Sequence, residues 1–405
     1  MTTDAIVIVG AGQAAGQLAA SLAQEGLGGR VTLIGDEPHL PYQRPPLSKK
    51  YLAGEIELDR LFVKPAAFYE KNGIGLQLGK RVARIDRGSR TVILEDGSGL
   101  PYATLVLATG SRPRRLPLPG SELDGIFYLR GIADVAAIRA RFEQGKSLVV
   151  VGGGYIGLEL AAVAVRHGLK VSVLEQAPRL MARGVGPLVS EFYEQLHRQE
   201  GIDLHLGAAV QSFEGRDGLV RRVICNGGFD ADIVVIGAGA LPNVELAQEA
   251  GLATADGILV DALCRTEDPA VYAIGDCTSQ FHPLIERNLR LESVHNALEQ
   301  ARIAAASICG KPPPAVQVPW FWSDQYDVKL QMAGIPSSYD DAVMRGQPGR
   351  RSFAVFYLAN GALVGIDAVN RPADFMISKL LIGERARVDR AKLLDEGVAV
   401  KDSRL

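Results

Sequence analysis

The chain has 405 residues, too many for one ordinary core, so two or three domains are expected. Hydrophobic residues make up 47% and charged residues 22%, with a formal net charge of −2, which argues against a basic nucleic-acid binder as a whole-chain reading. No apolar run reaches the roughly 18 residues of a bilayer span, and Met1-Thr2-Thr3-Asp4 lacks the basic start of a signal peptide, so a cytoplasmic protein without a membrane partner is expected.

The predicted elements alternate strand, turn and helix. Ala5–Val9 is a short β-branched run; a glycine turn, a small-residue helix from about Gln13 to Gln24 and a strand at Val31–Ile34 follow it. The same order returns at Leu148–Val151, Tyr155–His167 and Val171–Leu174. Two such openings predict two nucleotide-binding folds of one type. Beyond about Val316 the pattern changes to strands at Ser352–Leu358 and Ala362–Ala368 and a helix around Ala373–Ile382, which reads as a separate α+β domain. Lys311-Pro312-Pro313-Pro314 reads as the linker before it, and Gly397–Leu405 as a mobile end. The fold class is therefore α/β, with two Rossmann-like domains and a C-terminal α+β domain. Boundaries are expected at 1–112 plus 246–315 for a discontinuous first domain, 113–245 for the second and 316–405 for the third.

Glycine gathers in Gly10–Gly16, Gly152–Gly157 and Gly237–Gly239. The first cluster fits G-x-G-x-x-G/A. Gly10 permits the tight turn, Gly12 lets backbone amides approach a pyrophosphate, and Ala15 is small enough for close helix–strand packing. Asp36 closes the next strand, placed to accept from a ribose hydroxyl, with Glu37 as its competitor. The second cluster repeats the pattern at Gly152, Gly154 and Gly157, and Glu175 closes its strand. A carboxylate there suits the ribose hydroxyls of NAD and repels the 2′-phosphate of NADP, with Arg179 as the counter-charge in reach. Two dinucleotide sites in one chain suggest NADH beside FAD, hydride moving from nicotinamide to flavin. The cysteines, Cys225, Cys264, Cys277 and Cys309, have neither metal-binding nor cluster spacing, so no metal is expected.

Three further segments carry a resemblance: Ala108-Thr109-Gly110 after a strand, Ala273-Ile274-Gly275-Asp276 at a strand end, and the stiff loop Arg44-Pro45-Pro46-Leu47-Ser48-Lys49. With both glycine turns, Glu292–Ala297 and Pro319–Gln325, the chain resembles the pyridine nucleotide–disulfide oxidoreductase superfamily of glutathione-reductase-type fold. Within it, the chain is similar to the NADH-dependent ferredoxin reductases of the putidaredoxin reductase and biphenyl dioxygenase reductase type.

That resemblance implies non-covalent FAD and NADH as cofactors. It implies Gly10, Gly12, Ala15 and Asp36 at the ADP half of FAD. Val82 is expected at the adenine, Arg44 and Arg130 at the pyrophosphate or adenine, Thr109 and Asp276 along the FAD site, and Val294 and Trp320 near the isoalloxazine. It implies a loop lysine, Lys49, beside the flavin and a glutamate, Glu159, that fixes it; these are the expected catalytic pair. One departure stands out. Disulfide reductases of this fold carry C-x₄-C after the first strand pair, whereas Leu40–Leu52 contains no cysteine, and the His-Pro-x-x-x-Glu end is missing. Electrons are then expected to leave the flavin directly for a [2Fe–2S] ferredoxin serving a cytochrome P450 or a ring-hydroxylating oxygenase. Arg287, Arg290 and Arg302, which flank Val294, are the expected docking cations. The alternatives are an NADH oxidase-type flavoprotein and a non-enzymatic binding flavoprotein of the apoptosis-inducing-factor kind.

Overall fold

A computed structural model describes residues 4–336 and 338–405. The chain forms two compact units. The first comprises the chain up to Arg44, Leu58–Arg112 and Leu241–Gln317; the second comprises Pro45–Glu57, Pro113–Ala240 and Val318–Leu405.

The first unit is built on a five-stranded parallel sheet in the order Val271–Ala273, Thr104–Leu107, Ile6–Val9, Val31–Gly35, Gly75–Leu78. Ile6 pairs with Val31 on one side and Thr104 on the other, and all of Ile6–Val9 is buried, as a central parallel strand must be. On one face the helices Gln13–Gln24 and Val294–Ile308 share a core through Ala15, Leu18, Leu22, Ala301 and Ala304. Alanines at these positions let the helices approach closely. On the other face a three-stranded antiparallel sheet, Val82–Asp86, Thr91–Leu94 and Gly99–Pro101, closes over Val7, Val9, Leu105 and Leu107.

The second unit repeats the plan with a five-stranded parallel sheet, Asp203–Leu206, Lys170–Glu175, Ser147–Val151, Ile233–Ile236, Ile126–Phe127. Its crossover helices are Tyr155–Arg166 and Pro187–Gln199. The same unit carries a five-stranded antiparallel sheet in the order Trp320–Gln325, Val328–Gly334, Ala362–Val369, Ser352–Ala359, Asp341–Gln347, with the helix Pro372–Gly383 after it. That helix starts one residue earlier than its apolar pattern predicts, because proline suits the first helical position.

The expectation of a mobile end is overturned. Buried Arg345 donates to the carbonyls of Leu393, Asp395, Glu396 and Val398 at 2.8–3.3 Å. Beyond them Val400 and Ser403 are buried, and the Leu405 amide bonds to the Arg387 carbonyl at 3.0 Å. The segment reads as polar in sequence because its anchor is backbone, not side chain.

Candidate active site

Each glycine turn sits at the end of the central strand of a parallel sheet. Gly10 has φ +113° and Gly152 φ +110°, and a Cβ at either would lie 2.1 Å from the Ala108 carbonyl oxygen or 2.5 Å from that of Gly237. Only glycine fits there. Gly12 and Gly154 are the N-caps of the helices Gln13–Gln24 and Tyr155–Arg166, neither with a side-chain cap, and a Cβ at either would meet nothing within 4 Å. Unpaired amides at a helix start, facing open space and without a competing side chain, suit a pyrophosphate. Ala15 is fully buried, and the corresponding Gly157 would drive a Cβ to 2.4 Å from the Gly152 carbonyl. The residues of both turns fit a dinucleotide.

The strand-end acids differ between the turns. Glu37 is occupied: Tyr42 donates to it at 2.6 Å and Arg44 at 2.8 Å. Burial alone would raise its carboxyl, and Arg44 and Tyr42 hold it below the usual value. The competitor for the ribose contact is thereby committed, while Asp36 stays exposed. Glu175 is tied at both oxygens, accepting from the Gly153 amide and from the Ala177 amide at 2.6 Å each. Its charge therefore stands at the strand end in a fixed orientation, and it also fastens the glycine turn. Arg179 is committed elsewhere, donating to the carbonyls of Val185 and Ala182 at 2.7 Å and to Ser190 Oγ at 2.8 Å.

The loop with Lys49 belongs to the second unit. A 3₁₀ turn, Pro45–Ser48, buries Leu47 and delivers the next two polar groups to the helix Tyr155–Arg166. Glu159 is 4% exposed on that helix. Its Oε2 accepts from Lys49 Nζ at 2.8 Å and from Ser48 Oγ at 2.5 Å, and its Oε1 accepts from Ser323 Oγ at 2.6 Å. A carboxylate so buried requires such partners, since an unpaired charge costs roughly 3–5 kcal/mol. Lys49 spends a second donor on the Pro45 carbonyl at 3.1 Å. Lys49 and Glu159, chosen from sequence, are therefore brought together. Ser48 and Ser323 lie in the segments Arg44–Lys49 and Pro319–Gln325, and neither carries any local signal in sequence of a partner more than 100 residues away.

The other expected FAD residues fall as follows. Arg44, Val82, Thr109, Asp276 and Val294 are in the first unit; Arg130 and Trp320 are in the second. The Val82 side chain packs in the core beside a bulge at Val82/Arg84, which leaves its backbone as the only polar offer. Thr109 Oγ1 donates to the Asn243 carbonyl at 2.7 Å, and Asn243 returns a bond to the Thr109 carbonyl at 2.8 Å, a pairing not anticipated. Asp276 accepts from Ser111 Oγ at 3.1 Å. Val294 opens its helix directly after the Ser293 cap. The Arg130 amide donates to Asp134 at the start of a helix. Trp320 lies in an aromatic cluster, 5.5 Å from Trp322 and 5.7 Å from Phe375.

Among the docking arginines, Arg290 needs correcting. Its side chain is 13% exposed and paired with both Asp256 and Glu292, so it offers no free surface charge. Arg287 and Arg302 are exposed and carry no ion pair among the described residues. The cysteines are unpaired, and among the described residues no group of acidic, histidine or cysteine side chains forms a metal site. No described helix is long and apolar enough to cross a membrane.

Comparison with known proteins accords with this geometry. The family described as pyridine nucleotide-disulphide oxidoreductase matches residues 4–301, and the reductase C-terminal family matches residues 320–404. The chain is similar to putidaredoxin reductase of Pseudomonas putida, 42% identical, with 98% of this chain and 96% of that protein covered. It is likewise 42% identical to the ferredoxin–NAD(+) reductase component of the anthranilate 1,2-dioxygenase system of Burkholderia cepacia, with 99% of each covered. A chain from the crystal structure of the covalent putidaredoxin reductase–putidaredoxin complex superposes with a TM-score of 0.96 at 42% identity, covering 99% of this chain and 98% of that one. With two glycine turns, two parallel sheets and that match across residues 4–301, the chain belongs to the pyridine nucleotide-disulphide oxidoreductase family.

Proposed function

We propose that the chain is an NADH-dependent ferredoxin reductase. It takes hydride from NADH onto non-covalently held FAD and passes the electrons singly to a [2Fe–2S] ferredoxin serving a cytochrome P450 or a ring-hydroxylating oxygenase. The balance is one NADH and two oxidised ferredoxins giving NAD⁺, one proton and two reduced ferredoxins. The observation that carries the reading is the Lys49–Glu159 pair, in a family of disulphide oxidoreductases, in a chain whose four cysteines are scattered and unpaired. No dithiol takes part. The names of the putidaredoxin and anthranilate dioxygenase reductases support the partner class.

Bound FAD supplies the conversion of an electron pair to single electrons. The chain's residues do the rest. We assign residues 1–112 and 246–315 to FAD, 113–245 to NADH and 316–405 to the third domain. Gly10, Gly12, Ala15 and Asp36 hold the ADP half of FAD, with Arg44, Val82 and Arg130 as its further adenine and pyrophosphate contacts. Thr109, Asp276, Val294 and Trp320 complete that site. Gly152, Gly154, Gly157 and Glu175 hold NADH. Lys49 presents positive charge where hydride adds negative charge, and Glu159 holds Lys49 in place. Docking rests on Arg302 and Arg287, the exposed cations, and not on Arg290, whose charge is held by Asp256 and Glu292.

The test is rapid mixing with NADH, then with a ferredoxin. Fast bleaching of a yellow protein followed by stoichiometric ferredoxin reduction is expected. A protein that stays colourless with FAD, or a bleached protein that reduces O₂ but no ferredoxin, overturns the reading.

A further inference from the structure

A buried row of polar groups ends on Glu159. Ser323 and Gln325 lie two residues apart on the strand Trp320–Gln325, so they share one face. Ser323 Oγ is 2.6 Å from Glu159 Oε1, Gln325 Nε2 is 3.0 Å from Ser323 Oγ, and Gln325 Oε1 is 2.7 Å from His197 Nε2. His197 Nδ1 is 3.0 Å from the Tyr326 hydroxyl. Ser323 and His197 have no exposed surface and Gln325 has 1%. Lys49 bonds to the other oxygen of the same carboxylate, so the row and the lysine meet on Glu159.

The polarity of the row is forced from one end. An ionised carboxylate only accepts, so Ser323 donates to it. The Ser323 oxygen then accepts from the Gln325 amide nitrogen. The Gln325 oxygen is left facing His197, whose Nε2 must carry the ring proton, and Nδ1 accepts from Tyr326. Burial pushes the His197 ring down to about 4, against the raising effects of Gln325 and Glu200, so it is neutral near neutral pH and holds one proton only. The other groups facing it are the rings of Tyr193, 6.4 Å away, and Tyr326. Tyr326 adopts φ +57°, a left-handed conformation that a bulky residue rarely takes, in the two-residue turn that asparagine or glycine would favour. Its ring also lies 5.4 Å from the Arg166 guanidinium, at the far end of the helix that carries Glu159.

We propose that His197 is a positioning residue for Glu159. Its single ring proton on Nε2 matches the polarity that Glu159 sets and locks the Gln325 amide with its nitrogen toward Ser323, which keeps the Ser323 proton on one carboxylate oxygen while Lys49 and Ser48 hold the other. The row transmits orientation and not protons, because the amide of Gln325 passes no proton without changing tautomer. The kinetic importance of the row rests on the reading of Lys49 and Glu159 as the hydride-transfer pair; its polarity does not.

Nitrogen-15 NMR of the FAD-loaded protein, labelled at histidine, reads the polarity directly. His197 is expected as a single Nε2–H tautomer, and Ser323→Ala or Glu159→Gln is expected to mix it with the Nδ1–H form. A wild-type Nδ1–H tautomer, or a tautomer unmoved by both variants, overturns the proposal. Rapid mixing supplies the second readout. Ser323→Ala and His197→Phe should each lower the limiting rate of NADH-driven bleaching about tenfold, with half-saturation by NADH moving less than about twofold. His197→Gln, whose amide nitrogen takes the place of Nε2, should restore the rate. Equal losses in His197→Phe and His197→Gln overturn positioning by the ring proton, and should His197→Phe not fold, an undiminished rate in Ser323→Ala overturns it instead. If Lys49→Met is kinetically silent, the catalytic-pair reading falls while the tautomer result still decides the row.

Discussion

Lys49 and Glu159 stand 110 residues apart in sequence and 2.8 Å apart in space, with the carboxylate nearly sealed from water. The 3₁₀ turn before Lys49 and the helix after the second glycine turn are the two rigid parts that make this meeting possible. The fold therefore holds the lysine ammonium between the Glu159 carboxylate and the Pro45 carbonyl.

Lys49→Met is expected to keep FAD bound and to slow hydride transfer on the order of 10²–10³-fold, the usual cost of removing a charged stabiliser. Glu159→Ala should slow it less, because the lysine charge survives. Single-turnover bleaching by NADH measures both, and an undiminished rate in Lys49→Met would show that the lysine serves the fold alone.

The glycine turns separate folding from binding. A methyl at Gly10 collides with the Ala108 carbonyl, so Gly10→Ala should fail to fold normally. A methyl at Gly12 or Gly154 meets nothing in the protein. Gly12→Ala should therefore show wild-type circular dichroism and weakened FAD retention, and Gly154→Ala normal FAD and weakened NADH binding. Wild-type affinities in both would show that the open space is not where pyrophosphate lies.

Glu175→Ala should narrow the preference for NADH over NADPH by removing the repulsion of the 2′-phosphate, and it should weaken NADH as well, because the Gly153 amide loses its acceptor. Arg179→Ala should leave the preference where it was, since that guanidinium is spent on Ala182, Val185 and Ser190, and should lower thermal stability instead. Initial rates with both nucleotides and a melting curve distinguish these outcomes. Loss of NADPH activity in Arg179→Ala would reverse the assignment.

Two buried groups give the fold opposing responses to pH. Burial lowers His197 to about 4, so as pH falls below its ordinary value the unfolded chain takes up a proton that the folded chain refuses. Stability from His197 is thus present at neutral pH and lost in acid, on the order of 3 kcal/mol by pH ~4. Burial raises Asp367 to about 6, with Tyr357, the Gly186 amide and Arg179 acting the other way. Its contribution is present below the ordinary carboxylate value and is lost as pH rises through about 6. Across that window the two offset each other. Urea unfolding between about pH 4 and 7 should find His197→Gln gaining stability on acidification relative to wild type, and Asp367→Asn losing it more steeply. Parallel curves for all three proteins would exclude this account.

Arg302→Glu should slow ferredoxin reduction and leave reduction of a small neutral dye unchanged, with the ferredoxin rate falling as salt rises. Arg290→Glu should lower stability, because it strands Asp256 and Glu292 beside a third carboxylate. Ferredoxin turnover indifferent to both salt and Arg302 would refute the docking surface.

The fold was legible because its signals are local. A glycine turn between an apolar strand and a small-residue helix announces itself within about 30 residues, and it does so twice. Lys49 and Glu159 were legible only through resemblance, as nothing near either residue points to the other. The rest was hidden for physical reasons. His197 reads as one more polar residue late in the helix Pro187–Gln199, and only the tertiary fold buries it against Gln325. Arg290 reads as a surface cation until Asp256, 34 residues earlier, is folded beside it. The C-terminal segment reads as loose because Arg345 holds it by its carbonyls, groups that every residue has.

On the role proposed for Glu159, its bond from Ser323 gives residues 320–404 a part in the chemistry that their sequence does not advertise. The reductase C-terminal family matches residues 320–404, and this boundary just precedes the strand that carries Ser323. A graft across that boundary replaces the hydroxyl on Glu159 together with Gln325 and Tyr326, while His197 stays behind with the recipient. Chimeras should therefore divide by whether the donor module carries a serine and a glutamine in the matching register. Compatibility of the whole module would then be decided by two side chains, and hydride-transfer rate would travel with the graft while partner choice, proposed to rest on Arg287 and Arg302, would stay with the recipient.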